Sequence, residues 1–355
     1  MRLFILLSCL LLIGLILCPA VSLAAASDAA TLWWTRVFPA LLPFLITVGV
    51  LERSGLFAWL GTRKTKRISP LALVALLFGG LCGYPIGAKL LGGCQKNGTL
   101  TPQLAQTYSY YANLGSPVFI VSVVAIGLFS NVRTALPICI SIYAVALAVF
   151  LPIFVFSKRP QQANSAALTM DASCFSDAIF GGMESILRIG GCIVFAAVLN
   201  ALLQAARLPW LIAQVLPVSE STVRAVLMGV LELTCGCQAA SALPLHLAMR
   251  LALCTFFLQF GGLSVLLQTL GFLRLSSVPR YLLTKLCMAL CSSALCYVLT
   301  PLLCPDAAAA AFAGSAAWAR NGATLLGVLF SCGFSLLCCA VFTLCVRTKN
   351  RSATK

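Results

Sequence analysis

Two charged residues stand inside long apolar stretches of the sequence. Lys89 follows a glycine- and proline-rich interruption, and Glu232 lies in a second apolar segment. A charge at the centre of a membrane helix costs about 2.5–3.5 kcal/mol on insertion scales, and such residues mark functional sites. Lys89 could face an anionic substrate, or its long side chain could reach the cytoplasmic interface. Glu232 could couple transport to protons or sodium or pair with Lys89, or else form an ion pair with Arg224 or lie at the outer mouth.

Helix-breaking and polar residues accompany both charges. Residues 79–87 read GGLCGYPIG and residues 234–238 read TCGCQ, so neither segment favours a continuous helix. Non-helical backbone at membrane depth is tolerated only where protein or a water-filled cavity covers it. Both interruptions therefore indicate a shared internal cavity. The predicted substrate-binding residues are Gly83, Tyr84, Pro85, Lys89, Asn113, Ser116, Cys235, Gly236, Gln238, Gln259 and Gly261, with Glu232 as a candidate for ion coupling.

Patterns typical of enzymes are absent from the sequence. It has no P-loop, HExxH or GxSxG pattern and a single histidine, so neither catalysis nor ATP-driven transport within this chain is expected. Cys235 and Cys237, with His246 nearby, do not supply the four ligands of a structural zinc site. Most of the 18 cysteines lie in apolar runs, where cysteine behaves as a small hydrophobic residue. We therefore predict no catalytic residue, no metal and no cofactor.

The composition indicates a polytopic membrane protein. The 355 residues are 61% hydrophobic and 9% charged, and 8 acidic residues cannot cover the surface of a soluble protein of this size. The net charge of +16 would suggest nucleic acid as a partner on a soluble chain. Here most basic residues lie between apolar segments, where they indicate orientation in the lipid bilayer, and no nucleic-acid partner is expected.

The basic clusters limit how many apolar segments can cross the membrane. The segments lie at 3–21, 38–60, 71–92, 104–130, 134–157, 181–205, 222–242, 244–270, 281–303 and 323–346. Lysine and arginine in short loops collect on the cytoplasmic side, yet ten crossings would put the clusters at 63–67 and 158–159 on opposite sides. Treating 71–92 and 222–242 as re-entrant removes the conflict. The predicted fold is all-α, with about eight transmembrane helices, two re-entrant helical hairpins and both termini cytoplasmic.

The two halves of the chain repeat weakly. Each has a broken hairpin followed by an aromatic pair, an amide, an apolar residue and a glycine, so that Asn113 corresponds to Gln259 and Gly115 to Gly261. The order of segments is inverted between the halves, as in many secondary transporters. The predicted divisions are a first transmembrane helix and link (1–30), a first repeat (31–157), a cytoplasmic linker (158–176), a second repeat (177–303), and a last helix with a basic tail (304–355). Residues 24–26 also resemble a signal-peptide cleavage site, but an uncleaved first helix is favoured.

Several short motifs occur in order between about residues 30 and 300. They are WW at 33–34 before FPALLPF at 38–44, GYPIGAK at 83–89, NLGSP at 113–117, FGGLSV at 260–265 and SVPRYL at 277–282. Together they resemble the YlbJ-type sporulation integral membrane proteins, which carry the nucleoside-recognition, or Gate, domain. Cys82 stands where family members usually have serine, and Asn113-Leu114 departs from the usual polar pair.

The resemblance implies a role in endospore formation, in a forespore-associated membrane. It favours a secondary transporter or facilitator of a small anionic or aromatic solute, with dipicolinate as the leading candidate. A non-transporting membrane scaffold for a sporulation complex, and a nucleoside transporter, remain alternatives. Other sporulation membrane proteins or a second copy of the chain are the protein partners it suggests.

Overall fold

A computed structural model describes residues 2–57, 70–156 and 172–305, and every regular element in these ranges is helical. The predicted all-α fold is therefore confirmed. In chain order the α-helices are α1 Arg2–Leu17, α2 Pro19–Leu32, α3 Phe38–Arg53, α4 Pro70–Cys82, α5 Ile86–Lys96, α6 Pro102–Ala112, α7 Pro117–Phe119 (continued as a π-helix over Ile120–Leu128), α8 Ala135–Phe156, α9 Ala172–Ala205, α10 Leu208–Val215, α11 Glu220–Leu231, α12 Leu233–Ser241, α13 Leu247–Phe260, α14 Gly262–Phe272 and α15 Val278–Leu303.

Some predicted features lie outside the described residues. These are the basic cluster at 63–67, residues 158–171 of the predicted linker, and residues 306–355, which contain the predicted last helix and tail. Helix α9 already begins at Ala172, so the described end of the predicted linker is helical.

Five helical stretches in the described ranges are long and apolar enough to cross a membrane. They are Pro102–Leu128, Val132–Phe154, Cys174–Ala205, Leu247–Phe272 and Val278–Leu303. A bent pair, Ser8–Leu17 and Pro19–Thr35, meets at 102° and would make a sixth. The continuous apolar helix expected over 3–21 is thus interrupted. Pro19 explains the break, since proline cannot donate to the preceding turn and disfavours helical backbone in the residue before it.

The same order of elements occurs twice. A long helix, a helical hairpin, an interrupted helix and a second long helix follow one another as α3, α4–α5, α6–α7 and α8. They follow again as α9, α11–α12, α13–α14 and α15, with the short helix α10 inserted after α9. In the first half, α4, α5 and α6 pack on one another, and in the second half α11, α12 and α13 do the same.

Glycines allow the first hairpin to close tightly. Gly83, at φ +79°, lies in the turn between α4 and α5, a backbone conformation that side chains with a Cβ rarely adopt. Behind the turn, Gly79 and Gly87 face each other, and a Cβ on either one would collide with the backbone carbonyl of Ala112 in α6. The hairpin therefore lies against the end of α6, immediately before Asn113.

The second hairpin turns at a different place from the predicted one. The chain leaves helical geometry at Glu232, between α11 and α12, and the TCGCQ segment is itself helical. Gly236 is not part of the turn, because it packs directly on Gly229 and on the ring of Phe257. In this segment, then, the glycine serves close helix packing.

Two glutamines of the first half hold a backbone segment of the second. Gln95 in α5 exchanges two hydrogen bonds of 2.9 Å with the backbone of Arg274. Gln106 in α6 donates to the carbonyl of Ser277 at 3.0 Å and accepts from the Ser277 N–H at 2.9 Å and the Ser276 hydroxyl at 2.8 Å. The connection between α14 and α15 is thereby fixed to α5 and α6 of the first half.

Replacing Gly87 with alanine should destabilise the fold. The new Cβ meets a backbone carbonyl that cannot move aside without shifting α6, and overpacking of this kind costs about 1–3 kcal/mol. We expect a lower melting temperature in detergent. Gly191→Ala in α9 is the matched control, since no heavy atom of the described residues lies within 4 Å of its Cβ position. Equal melting temperatures for the two variants would contradict the packing described here.

Candidate functional site

The tip of the first hairpin is hydrogen-bonded to the interruption between α6 and α7. The N–H of Tyr84 donates to the carbonyl of Leu114 at 2.9 Å. The phenol of Tyr143 in α8 lies within hydrogen-bond distance of two carbonyls, those of Gly80 at 2.9 Å and Gly115 at 2.8 Å. These contacts provide partners for backbone groups that a continuous helix would have bonded internally.

Ser116 restarts the interrupted helix. Its hydroxyl accepts a hydrogen bond from the N–H of Phe119 at 3.1 Å, which makes it the N-cap of α7. The structure thus gives this predicted substrate residue a structural partner within its own turn.

Tyr84 connects the first hairpin with the second half of the chain. Its phenol donates to the carbonyl of Leu258 in α13, one residue before Gln259. Gly115 lies beside this contact, with its Cβ position 3.6 Å from both the Tyr84 hydroxyl and the Leu258 side chain. The first tip and first interruption therefore reach the end of α13, where the second interruption begins at Gly261.

The second hairpin meets the second interruption in a corresponding way. Glu232 is 2% exposed, and its carboxylate caps α12 by accepting from the N–H of Cys235 at 2.7 Å. The last carbonyls of α11, at residues 229–231, lie 2.9–3.3 Å from the Cβ position of Gly262, which follows Gly261 at the start of α14. The alternative in which Glu232 pairs with Arg224 is not found, because Arg224 pairs with Glu220 at 3.5 Å.

Asn113 is the centre of a buried polar cluster contributed by three helices. Its side-chain amide donates to the hydroxyls of Thr269 in α14, at 2.9 Å, and Tyr281 in α15, at 3.0 Å. Its backbone carbonyl accepts from the ammonium of Lys285 in α15 at 2.9 Å. All four side chains are buried. We call Asn113, Thr269, Tyr281 and Lys285 the central cluster.

Lys285 was not identified as a site residue from the sequence, although it lies in the predicted apolar segment 281–303. In the structure its side chain is 0% exposed. The spacing of polar residues in the sequence could have indicated its burial. Tyr281, Lys285, Ser292 and Thr300 recur at helical spacing, and α15 buries all four on one face.

Several buried polar atoms near the two interruptions make no hydrogen bond to the residues described. They include both amide atoms of Gln259, which is fully buried, and the side-chain oxygen of Asn113. Burying an unbonded amide costs on the order of 1–3 kcal/mol, so such groups call for a partner. Asn113 and Gln259, the two amides matched in the sequence, therefore both retain unused hydrogen-bonding capacity, as does the buried amide of Asn200 in α9.

Lys89 lies away from the central cluster. It projects from α5 toward α3, where Glu52 exerts the strongest attraction on its ammonium among the charged groups around it. Its nitrogen is buried and has no hydrogen-bond partner in the described part of the chain. It therefore does not reach the interface as an extended, solvated side chain would.

The remaining predicted residues shape the backbone or lie at the edge of the site. Gly83, Pro85 and Gly261 form the turns, and Gly236 packs within the second hairpin. Cys235 is half-buried beside Glu232, whereas Gln238 is exposed on the outer face of α12 and is not brought to the interruptions. No group of three or more potential metal ligands occurs among the described residues.

The chain is similar to the sporulation integral membrane protein YlbJ of Bacillus subtilis (strain 168). The two are 24% identical over 290 residues, which cover 72% of this chain and 71% of the relative. This similarity confirms the resemblance to YlbJ-type proteins drawn from the motifs. No family model and no solved structure matches the chain. Together with the membrane-length helices, the similarity identifies a multi-pass integral membrane protein.

Removing the hydroxyl of Tyr143 should loosen the first interruption. Tyr143→Phe leaves the carbonyls of Gly80 and Gly115 without this donor, and an unsatisfied buried carbonyl costs about 1–3 kcal/mol. We expect a lower melting temperature in detergent than for the native chain. Tyr297→Phe is the control, because that side chain is 40% exposed and its hydroxyl contacts the partly exposed ring of His246. A Tyr143→Phe protein as stable as the control would contradict this role.

Proposed function

We propose that this protein is a sporulation-associated secondary transporter or facilitator of a small anionic metabolite, with dipicolinate as the leading candidate. One observation carries the proposal. Two hairpin tips and two interrupted helices meet around buried amides that have unused hydrogen-bonding capacity. The similarity to a protein named for sporulation suggests the physiological setting, a forespore-associated membrane.

The proposed membrane arrangement has eight crossings, two re-entrant hairpins and cytoplasmic termini. In it, α4–α5 and α11–α12 are the hairpins of two inverted repeats. The repeated order of elements and the tight glycine packing inside each hairpin support it. Inverted repeats with discontinuous helices place a substrate near the membrane midplane, between the two units.

The chemistry around the interruptions suits an acid with a planar ring. Dipicolinate has two carboxylates on a pyridine ring, and its oxygens accept hydrogen bonds. Gln259 offers two amide N–H donors that no described residue uses. Tyr281 and Tyr110 stack at 5.9 Å beside Asn113, which adds an aromatic wall.

Replacing Gln259 with leucine should reduce transport without destabilising the fold. The amide bonds no described residue, so its loss costs little stability, whereas a lost hydrogen bond to a charged carboxylate is worth about 1.5–3 kcal/mol. We expect saturable uptake of labelled dipicolinate by liposomes containing the native protein, and uptake lower by roughly tenfold or more in Gln259→Leu. Asn200→Leu, at a buried amide in α9, is the matched control and should transport normally.

The same liposomes distinguish the other functions. A scaffold would show no saturable uptake of dipicolinate, which would refute the proposal. A nucleoside transporter would show uptake that uridine or adenosine suppresses more strongly than unlabelled dipicolinate.

Glu232 is the proposed site of ion coupling. Glu232→Gln keeps a side-chain oxygen to cap α12 but removes the negative charge. We expect an imposed proton or sodium gradient to stimulate dipicolinate uptake by the native protein and to have little effect on Glu232→Gln. Glu220→Gln, an exposed acid at the start of α11, should respond like the native protein. A full response in Glu232→Gln would exclude this residue from coupling.

A further inference from the structure

The ammonium of Lys285 is buried without a negative partner. Of the basic side chains that the structure describes, Lys285 alone is fully buried. Within the described ranges no carboxylate lies at ion-pair distance from it, and the nearest polar contact is the carbonyl of Asn113 at 2.9 Å. An isolated buried charge is strongly unfavourable unless it is paired and fully hydrogen-bonded.

A single carbonyl does not satisfy this group. A lysine ammonium has three N–H donors, and the contact with Asn113 uses one of them. Asn113 ends α6, so the bond lies at the negative end of a helix, which gives the ammonium partial compensation. The two remaining donors and the missing counter-charge define what would complete the site: an anion with oxygen acceptors.

We infer that Lys285 recognises a carboxylate of the transported solute, and that the central cluster is its anion subsite. The inference rests on the proposed transport function and names the residue that selects the charge. The side-chain amide of Asn113 donates to Thr269 and Tyr281, which fixes the backbone carbonyl of Asn113 against the ammonium and leaves recognition of the anion to Lys285. Lys89 does not bind this carboxylate, since its side chain lies against α3 near Glu52.

The anion subsite lies next to the interruption between α6 and α7. An anion bound by the two remaining donors would lie beside the carbonyl of Asn113, which already accepts from the same ammonium. Asn113 is the first residue of the gap between α6 and α7, whose neighbouring backbone contacts the first hairpin tip through Leu114 and Tyr84. Occupation of the subsite therefore places negative charge next to the first interruption.

Charge selection can be measured with a matched pair of ligands. Purified full-length protein in detergent is titrated with dipicolinate and with its neutral analogue, pyridine-2,6-dicarboxamide. We expect the native protein to bind the dianion more tightly by about tenfold or more, because a hydrogen bond to a charged group is worth about twice a neutral one. Lys285→Met should lose this preference while its affinity for the diamide changes little. Lys89→Met is the control and should keep the preference.

The outcomes separate the inference from the proposed function. Native protein that neither binds nor transports dipicolinate refutes the function itself. A Lys285→Met protein that still prefers the dianion overturns the inference and leaves the function standing. If Lys285→Met binds neither ligand, Lys285→Arg decides: a retained preference for the dianion supports charge recognition, and loss of binding there too makes Lys285 a structural residue.

Discussion

The hydrogen-bonding needs of interrupted backbone organise this molecule. A helix that breaks inside a bilayer leaves carbonyl and N–H groups that water cannot reach, so other parts of the protein must bond them. Tyr143 and Tyr84 meet this need at the first interruption, and Glu232 meets it at the second hairpin. Because Tyr143 and Tyr84 come from other elements, the first break can exist only where several helices converge. The meeting of several helices at the break and the polar groups buried there both follow from the need to bond the interrupted backbone.

Much of the first half could be predicted from the sequence. Glycine and proline at 83–85 locate the first turn because their backbone preferences are local. The sequence also singles out the amides of Asn113 and Gln259, since each stands two residues before a glycine next to an apolar run. Both are buried at the ends of helices, as expected of polar residues that serve an interruption.

Other features depend on packing, which composition does not reveal. The second turn lies at Glu232 because a carboxylate can cap α12, while Gly236 is needed for contact with Gly229. Lys285 was missed because rules for membrane orientation count charges without asking which face of a helix they occupy. Lys89 follows the motif that suggested a site, yet its side chain points to α3, a direction set by the register of α5.

The phenol of Tyr84 has a consequence for how the two repeats can move. It belongs to the first hairpin but bonds the backbone of α13 next to Gln259. If the hairpin withdraws to admit a solute, the Leu258 carbonyl loses its donor at the same moment as space opens beside the free amide. Access and an unsatisfied acceptor then arise together, so the open form is disfavoured until a donor such as water bonds the Leu258 carbonyl.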